Sequence, residues 1–243
     1  MALASACFDA SGTGADAEDL CLAGYIFEKE SALAFDLEWR AMLAEYELPY
    51  FHMKEIAMQD GGIYGHLDED QRDLAAREAI RIIKTHASQG IAISVEKSAA
   101  AELRNASIWH NPYSFISGQV LFGVRAWVER TGFEGDVAYI FEAGDEGVGQ
   151  AMEAAHRVMQ TVGPRQAFRI KSFTTALKVE ETPLQAADML AWHWLKRARN
   201  LRKGNRKLRG DFKSLLEVPT DVHHYDQSAA EFLAAIRQMD LLA

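Results

Sequence analysis

Three acidic residues lie in settings where a carboxylate needs a partner. Asp9 directly follows the small, apolar stretch 3–8, and Glu142 directly follows a second apolar stretch. Asp188 is the only acid in the apolar segment 184–195, although aspartate is a poor helix former. Taking a carboxylate out of water is costly unless a metal ion, a lysine or backbone amides pair with it. These residues are therefore the first candidates for chemistry.

The chemistry that three neighbouring carboxylates favour is the binding of divalent cations. They would repel one another and raise one another's pKa unless a cation lay between them. Oxygen ligands alone select hard ions such as Mg²⁺ or Mn²⁺, and two such ions about 3.5–4 Å apart suit phosphodiester cleavage. We therefore predict Asp9, Glu142 and Asp188 as catalytic residues and metal ligands. An ordinary turn is the alternative for Asp9, because a Ser/Gly/Thr run follows it.

A short segment, 50–56, mixes aromatic and charged side chains. Glu55 is a candidate fourth catalytic acid, and His52 or Lys54 is a candidate phosphate contact. A salt-bridged surface segment explains the same residues equally well. Lys171 is a further candidate for a phosphate contact, with stabilisation of a strand edge as its alternative.

Two acids follow Glu142 closely, Asp145 and Glu146. They either join Glu142 as ligands or cap the next helix, whose N-terminus favours negative charge. Three further histidines lack metal-ligand spacing with a third partner and are predicted to lie on the surface or in loops: His110, His223 and His224.

Positive charge is concentrated in one segment, 196–213. It holds nine of the 26 basic residues and a single acid, whereas the whole chain has a net charge of −9. A basic segment on an acidic protein predicts contact with a polyanion such as RNA or DNA. A solvated helix end is the alternative, since cations suit the last turn of a helix. The predicted nucleic-acid contacts here are Arg202, Lys203, Arg206, Lys207 and Arg209.

The order of the predicted helices and strands favours a mixed α/β sheet with helices on both faces, and this sheet must position the candidate residues. Three antiparallel strands come first, and helices then alternate with strands. The strands are predicted at 3–9, 20–28, 90–96, 137–141 and 167–173. A helical insertion occupies about 31–88, and Thr182 and Pro183 are the predicted N-cap and first turn of the helix that holds Asp188. We predict one domain, 1–243, with a basic C-terminal extension, 196–243.

The composition is that of a soluble globular protein, with half the residues hydrophobic and a quarter charged. The sequence has no run of about 18 apolar residues, so no membrane span is predicted. Two cysteines without a Cys/His cluster predict free thiols in a reducing cytoplasm.

Three short motifs resemble the family called domain of unknown function 3800: Asp9-Ala10-Ser11-Gly12, His52-Met53-Lys54-Glu55 and Leu184-Gln185-Ala186-Ala187-Asp188. The resemblance covers about residues 3–200. The usual opening of the family is Asp-Glu-Ser-Gly, so Ala10 is a departure. The resemblance implies a ribonuclease H-like fold with acids after the first strand, at the end of the fourth strand and on a late helix. By position, these are Asp9, Glu142 and Asp188.

The leading hypothesis is a nuclease that hydrolyses phosphodiester bonds of RNA or DNA with Mg²⁺ or Mn²⁺. One alternative is a non-catalytic module of the same fold that binds nucleic acid or protein. The other is a hydrolase that uses a pair of carboxylates on a non-nucleic substrate, which would need unequal pKa values at Asp9 and Glu142.

Overall fold

The computed structural model describes residues 2–58, 62–99, 102, 111–144, 147–231 and 233. A mixed six-stranded sheet lies at its centre. Its strands are β1 (Leu3–Ser11), β2 (Asp19–Glu28), β3 (Gln89–Glu96), β4 (Asp136–Glu142), β5 (Ile170–Ala176) and β6 (Thr220–Tyr225). They lie in the order β5-β4-β1-β2-β3-β6, and β2 alone runs opposite to the other five. The C-terminal ends of these five strands and the start of β2 therefore lie at the same end of the sheet.

Helices cover both faces of this sheet, as predicted. They are α1 (Lys29–Glu45), α2 (Met53–Met58), α3 (Glu69–His86), α4 (Pro112–Thr131), α5 (Val148–Gln160), α6 (Val162–Ala167), α7 (Thr182–Arg202) and α8 (Gly210–Leu215), with 3₁₀ turns at Gly62–Tyr64 and Lys97–Ala99. Residues of α1, α3, α7 and α8 pack against one face of the sheet, and residues of α4 and α5 pack against the other. Within the described residues, no helix is both long enough and apolar enough to cross a membrane.

Local sequence explains where the longer helices begin and end. The Asp68 side chain accepts a hydrogen bond from the Gln71 N–H, and the Gln71 side chain accepts one from the Asp68 N–H, which caps α3. Asn111 caps α4 through the Ser114 N–H. Gly132 ends α4 with a φ of 66°, a left-handed conformation that favours glycine.

Two predicted boundaries differ from the structure. The strand predicted at 167–173 begins at Ile170, because the residues before it form α6. Thr182 is the first residue of α7 rather than its N-cap, which is Glu181. The Thr182 hydroxyl instead donates to Asp36 Oδ1 at 2.8 Å, so it ties the start of α7 to α1.

The predicted C-terminal extension also contributes to the sheet. Its residues Thr220–Tyr225 form β6, which pairs in parallel with β3. His223 and His224 therefore lie on an edge strand of the sheet rather than in a loop. This placement gives His224 neighbours that the sequence did not indicate.

His193 is a buried histidine in α7 whose ring stacks on Phe212 of α8, with centroids 5.6 Å apart and planes 5° apart. Burial is the main reason that its pKa falls from 6.5 to about 4. The charged groups that act on it are Asp211 and Asp188, which raise the pKa, and Arg209 and Lys196, which lower it. The ring is therefore neutral in the folded protein at pH 7.

We expect His193 to make the free energy of unfolding depend on pH. The unfolded chain binds a proton near pH 6.5, whereas the folded ring binds one only near pH 4. The contribution of His193 to the free energy of unfolding is fully present above pH 6.5 and falls by about 3 kcal/mol as the pH drops to 4. Urea unfolding across this range should show a smaller dependence in His193→Phe, which keeps the stacked ring. The exposed control His223→Gln should keep the wild-type dependence, and an unchanged dependence in His193→Phe would contradict this expectation.

Candidate functional site

Three acids lie at the end of the sheet where β1 and β4 finish. Asp9 lies near the end of β1, Glu142 is the last residue of β4, and Asp188 lies in the first half of α7. Phe8 of β1 pairs with Phe141 of β4. Asp9 and Glu142 are the residues that come directly after this pair. All three acids are buried, with Asp9 only 2% exposed.

Lys178 lies in the connection between β5 and α7 and places its ammonium group between two of these acids. Its Nζ donates to Asp9 Oδ2 at 3.0 Å and to Asp188 Oδ1 at 3.4 Å. Burial lowers the pKa of Lys178, but the charges of Asp188, Asp9 and Glu142 together outweigh burial and raise it above its ordinary value. Lys178 is therefore a buried cation at neutral pH. A lysine is one of the partners that the sequence predicts for Asp9, but no sequence pattern identifies Lys178. We call these four residues the carboxylate–lysine centre.

Gln185 of α7 fixes the backbone on two sides of the carboxylate–lysine centre. Its Nε2 donates to the Lys178 carbonyl oxygen at 2.7 Å. Its Oε1 accepts from the Phe51 N–H at 2.7 Å and from Trp39 Nε1 at 2.8 Å. Because Gln185 is buried and its amide is bound at both ends, it holds the Lys178 connection and the segment before α2 in fixed positions.

The segment before α2 lies against Asp188. The Met53 N–H donates to Asp188 Oδ2 at 2.7 Å, and His52 Nε2 lies 3.6 Å from Asp188 Oδ1. His52 Nδ1 lies 2.9 Å from Glu55 Oε1, and the Tyr50 hydroxyl donates to the same oxygen at 3.3 Å. The structure therefore brings His52 and Glu55 beside the centre, in a chain of polar contacts that ends on Asp188.

A second group at the same end of the sheet corrects the prediction that His224 lacks the spacing of a metal ligand. One ligand atom each from Asp19, Glu96 and His224 lies within 4.8 Å of the other two, and these residues are able to hold a metal ion. Among the described residues, Asp9, Glu142 and Asp188 do not meet this criterion as a group of three. The signal that would have identified the second group is the pairing of β6 with β3, which brings His224 beside Glu96.

The buried thiol of Cys21 is affected by one acid from each of the two groups. Burial raises the pKa of Cys21 well above its ordinary value, and the charges of Asp9 and Asp19 raise it further. The Cys21 thiol therefore stays protonated at neutral pH and is not an activated nucleophile. Gly12 helps to bring the start of β2 close, because a Cβ at this position would lie 2.2 Å from the Asp19 carbonyl oxygen. Its φ of 82° also favours glycine.

The predicted nucleic-acid contacts are divided between paired and exposed side chains. Arg202 is bound to Asp19, and Arg209 forms an ion pair with Asp211 at 2.6 Å. Lys171 lies on the edge strand β5 and is 60% exposed. The other predicted contacts are exposed: Lys54, Lys203, Arg206 and Lys207. The exposed positive surface after α7 is therefore smaller than the count of basic residues indicates.

The candidates Asp145, Glu146 and His110 lie outside the described residues. The remaining predicted acids, Asp9, Glu142, Asp188 and Glu55, lie together around Lys178 and His52. No protein-family model, curated protein or solved structure matches this chain.

Proposed function

We propose that this protein is a ribonuclease H-like hydrolase that cleaves phosphodiester bonds of RNA or DNA with a divalent metal ion, Mg²⁺ or Mn²⁺. The observation that carries the proposal is that Asp9 and Asp188, from two different elements, contact one buried ammonium group, whose pKa the charge of Glu142 also raises. Asp9, Glu142 and Asp188 are the proposed metal ligands, and Glu55 is the proposed fourth catalytic acid.

The charges and the donor atoms of the centre support a cation at this position. All three acids are buried, and together their charges stabilise the positive charge of Lys178. The donors are all carboxylate oxygens, which suit Mg²⁺ or Mn²⁺. Lys178 itself lies between Asp9 and Asp188, which supports this position as one that a cation favours.

The order and direction of the strands support the ribonuclease H-like part of the proposal. β1, β2 and β3 are antiparallel neighbours, and β4 and β5 follow in parallel on the other side of β1. This is the arrangement that the resemblance to domain of unknown function 3800 implies, with acids after the first strand, at the end of the fourth and on a late helix. Ala10 departs from that family, but its N–H still donates to Asp9 Oδ1 at 2.9 Å.

The residues of the centre and the neighbouring His52 have distinct roles in the proposed reaction. A bound divalent ion would supply an activated water and neutralise charge on the phosphate. Asp9, Glu142 and Asp188 would hold the ion, and the Lys178 ammonium would stabilise negative charge on the scissile phosphate. His52 is oriented by the contact of its Nδ1 with Glu55, and its Nε2 takes up or supplies a proton at the reacting oxygen.

A cleavage assay tests this function. The purified protein is incubated with single- and double-stranded RNA and DNA, in Mg²⁺, in Mn²⁺ and in EDTA. We expect at least one substrate to be cut only when metal is present. Activity on a non-nucleic ester that persists in EDTA would instead favour a carboxylate-pair hydrolase, and binding without cleavage would favour a non-catalytic module.

The exposed basic residues after α7 are expected to hold the nucleic-acid backbone. Arg206→Glu with Lys207→Glu should weaken binding and reduce the slope of log affinity against log salt by about 1.5, because each phosphate contact releases counterions. Fluorescence anisotropy at several salt concentrations measures this slope. A matched double reversal on other surfaces, Lys29→Glu with Arg125→Glu, should leave the slope nearer to that of the wild type. Equal slopes for the two double variants would contradict the assignment.

A further inference from the structure

The strongest site outside the carboxylate–lysine centre lies where β2, β3 and β6 meet. Asp19 begins β2 and is paired in register with Glu96 at the end of β3. His224 of β6 lies beside them, with Nε2 3.8 Å from Glu96 Oε1. Ligands of one ion at metal–ligand distances of about 2.0–2.2 Å lie roughly 3–4 Å apart, so this spacing needs little adjustment to hold a metal.

The buried carboxylate of Asp19 is an independent indication of a cation site. Its side chain is 0% exposed, and its Oδ1 has no hydrogen-bond donor among the described residues. Burying a carboxylate oxygen without a partner is unfavourable, and each such group in a native structure calls for an explanation. A cation bound to the Asp19 carboxylate would satisfy this oxygen.

Arg202 already places a cation in this cluster. Its Nη2 is bound to Asp19 Oδ2, and its Nη1 lies 3.2 Å from Glu18 Oε2 and 4.0 Å from Glu96 Oε1. Arg202 is the last residue of α7, and its side chain is 36% exposed. The guanidinium is therefore partly accessible to solvent.

The imidazole of His224 is oriented for metal binding by two residues behind it, Ser94 and Trp194. Its Nδ1 lies 2.9 Å from the hydroxyl oxygen of Ser94, which is buried. That oxygen accepts a hydrogen bond from Trp194 Nε1 at 3.0 Å. When His224 Nδ1–H donates to Ser94, the lone pair of Nε2 faces Glu96, as in metal-binding histidines whose second nitrogen is hydrogen-bonded.

We propose that Asp19, Glu96 and His224 form a second divalent-metal site, selective for Zn²⁺ over Mg²⁺, in which the metal competes with the Arg202 guanidinium. One imidazole and two carboxylates leave a fourth position open on a tetrahedral Zn²⁺ ion. The imidazole also distinguishes this site from the all-oxygen centre, because Mg²⁺ prefers oxygen ligands alone. The two sites share no residue, so either proposal can fail without the other.

Calorimetric titration with Zn²⁺ tests the proposal on the full chain. His224→Gln should weaken this binding at least tenfold, whereas the neighbouring His223→Gln should bind as the wild type does. Arg202→Met should bind Zn²⁺ at least tenfold more tightly, because the guanidinium in direct contact with Asp19 is gone and the remaining Arg199 Nε is 4.0 Å from Asp19 Oδ2. Titration with Mg²⁺ should show no difference between the two histidine variants.

The comparison of the two histidine variants decides the outcome even if Arg202→Met does not fold. Equal Zn²⁺ binding by His224→Gln and His223→Gln would overturn the proposal, and the cluster would then be a network of ion pairs alone. Where Arg202→Met folds, unchanged Zn²⁺ affinity would overturn the competition between metal and arginine.

Discussion

Asp188→Asn is expected to lower metal-dependent phosphodiester cleavage by at least about 10³-fold, which is about 4 kcal/mol of transition-state stabilisation. Asp188 is buried, and its two oxygens contact Lys178 and the Met53 N–H. Asparagine keeps an oxygen that accepts from Met53, so the local backbone contact is retained. It removes the charge that would bind the metal and orient Lys178, so the loss should appear in activity rather than in folding.

The control for this experiment is Asp73→Asn, which removes an exposed charge from α3. It should retain wild-type cleavage. Circular dichroism and thermal melting should show that both variants are folded. If Asp188→Asn cleaves within threefold of the wild type, Asp188 is not part of the catalytic machinery, and the assignment of the carboxylate–lysine centre as the active site is wrong.

Lys178→Met should lower the free energy of unfolding by about 3–5 kcal/mol in EDTA. The ammonium group contacts Asp9 and Asp188, and its side chain is only 18% exposed. Removing one partner of a buried ion pair leaves the other charge uncompensated in a poorly solvated place. Urea unfolding monitored by tryptophan fluorescence measures the loss. Added Mg²⁺ should recover more stability in Lys178→Met than in the wild type, because the ion then compensates charge that the lysine no longer does.

Lys171→Met is the matched control, since Lys171 is 60% exposed and lies 3.9 Å from its acidic partner, Asp136. Exposed pairs of this kind contribute about 0–1 kcal/mol. A loss in Lys178→Met as small as that in Lys171→Met would contradict the role assigned to the buried ammonium. A large loss that Mg²⁺ does not reduce would show that the lysine is structural and that no ion binds beside it.

The acids of the centre were predictable because each breaks a local pattern. Asp9 and Glu142 directly follow apolar stretches, and Asp188 interrupts an apolar helix. Lys178 has no such signal, since it lies in a polar connection without periodicity between β5 and α7. Its position depends on a tertiary contact, the hydrogen bond from the Gln185 side chain to its carbonyl oxygen. Sequence patterns report local burial and do not report such contacts.

The second metal-ligand group was missed for a topological reason. His224 meets Glu96 only when β6 pairs with β3. The strand is short, polar and at the edge of the sheet, so it lacks the alternating apolar pattern of a half-buried strand. Counting charges overstated the basic surface for a separate reason, because Arg202 pairs with Asp19 and lies 4.0 Å from Glu96.

Crystals soaked in Mn²⁺ provide the most direct test of metal binding at the carboxylate–lysine centre. We predict an anomalous difference peak bonded to carboxylate oxygens of Asp9 and Asp188 at about 2.1–2.3 Å, a distance typical of Mn²⁺ with oxygen ligands. The Lys178 ammonium should move away from one or both acids. The contradicting result is a map with no anomalous peak at these oxygens and with Lys178 still between Asp9 and Asp188.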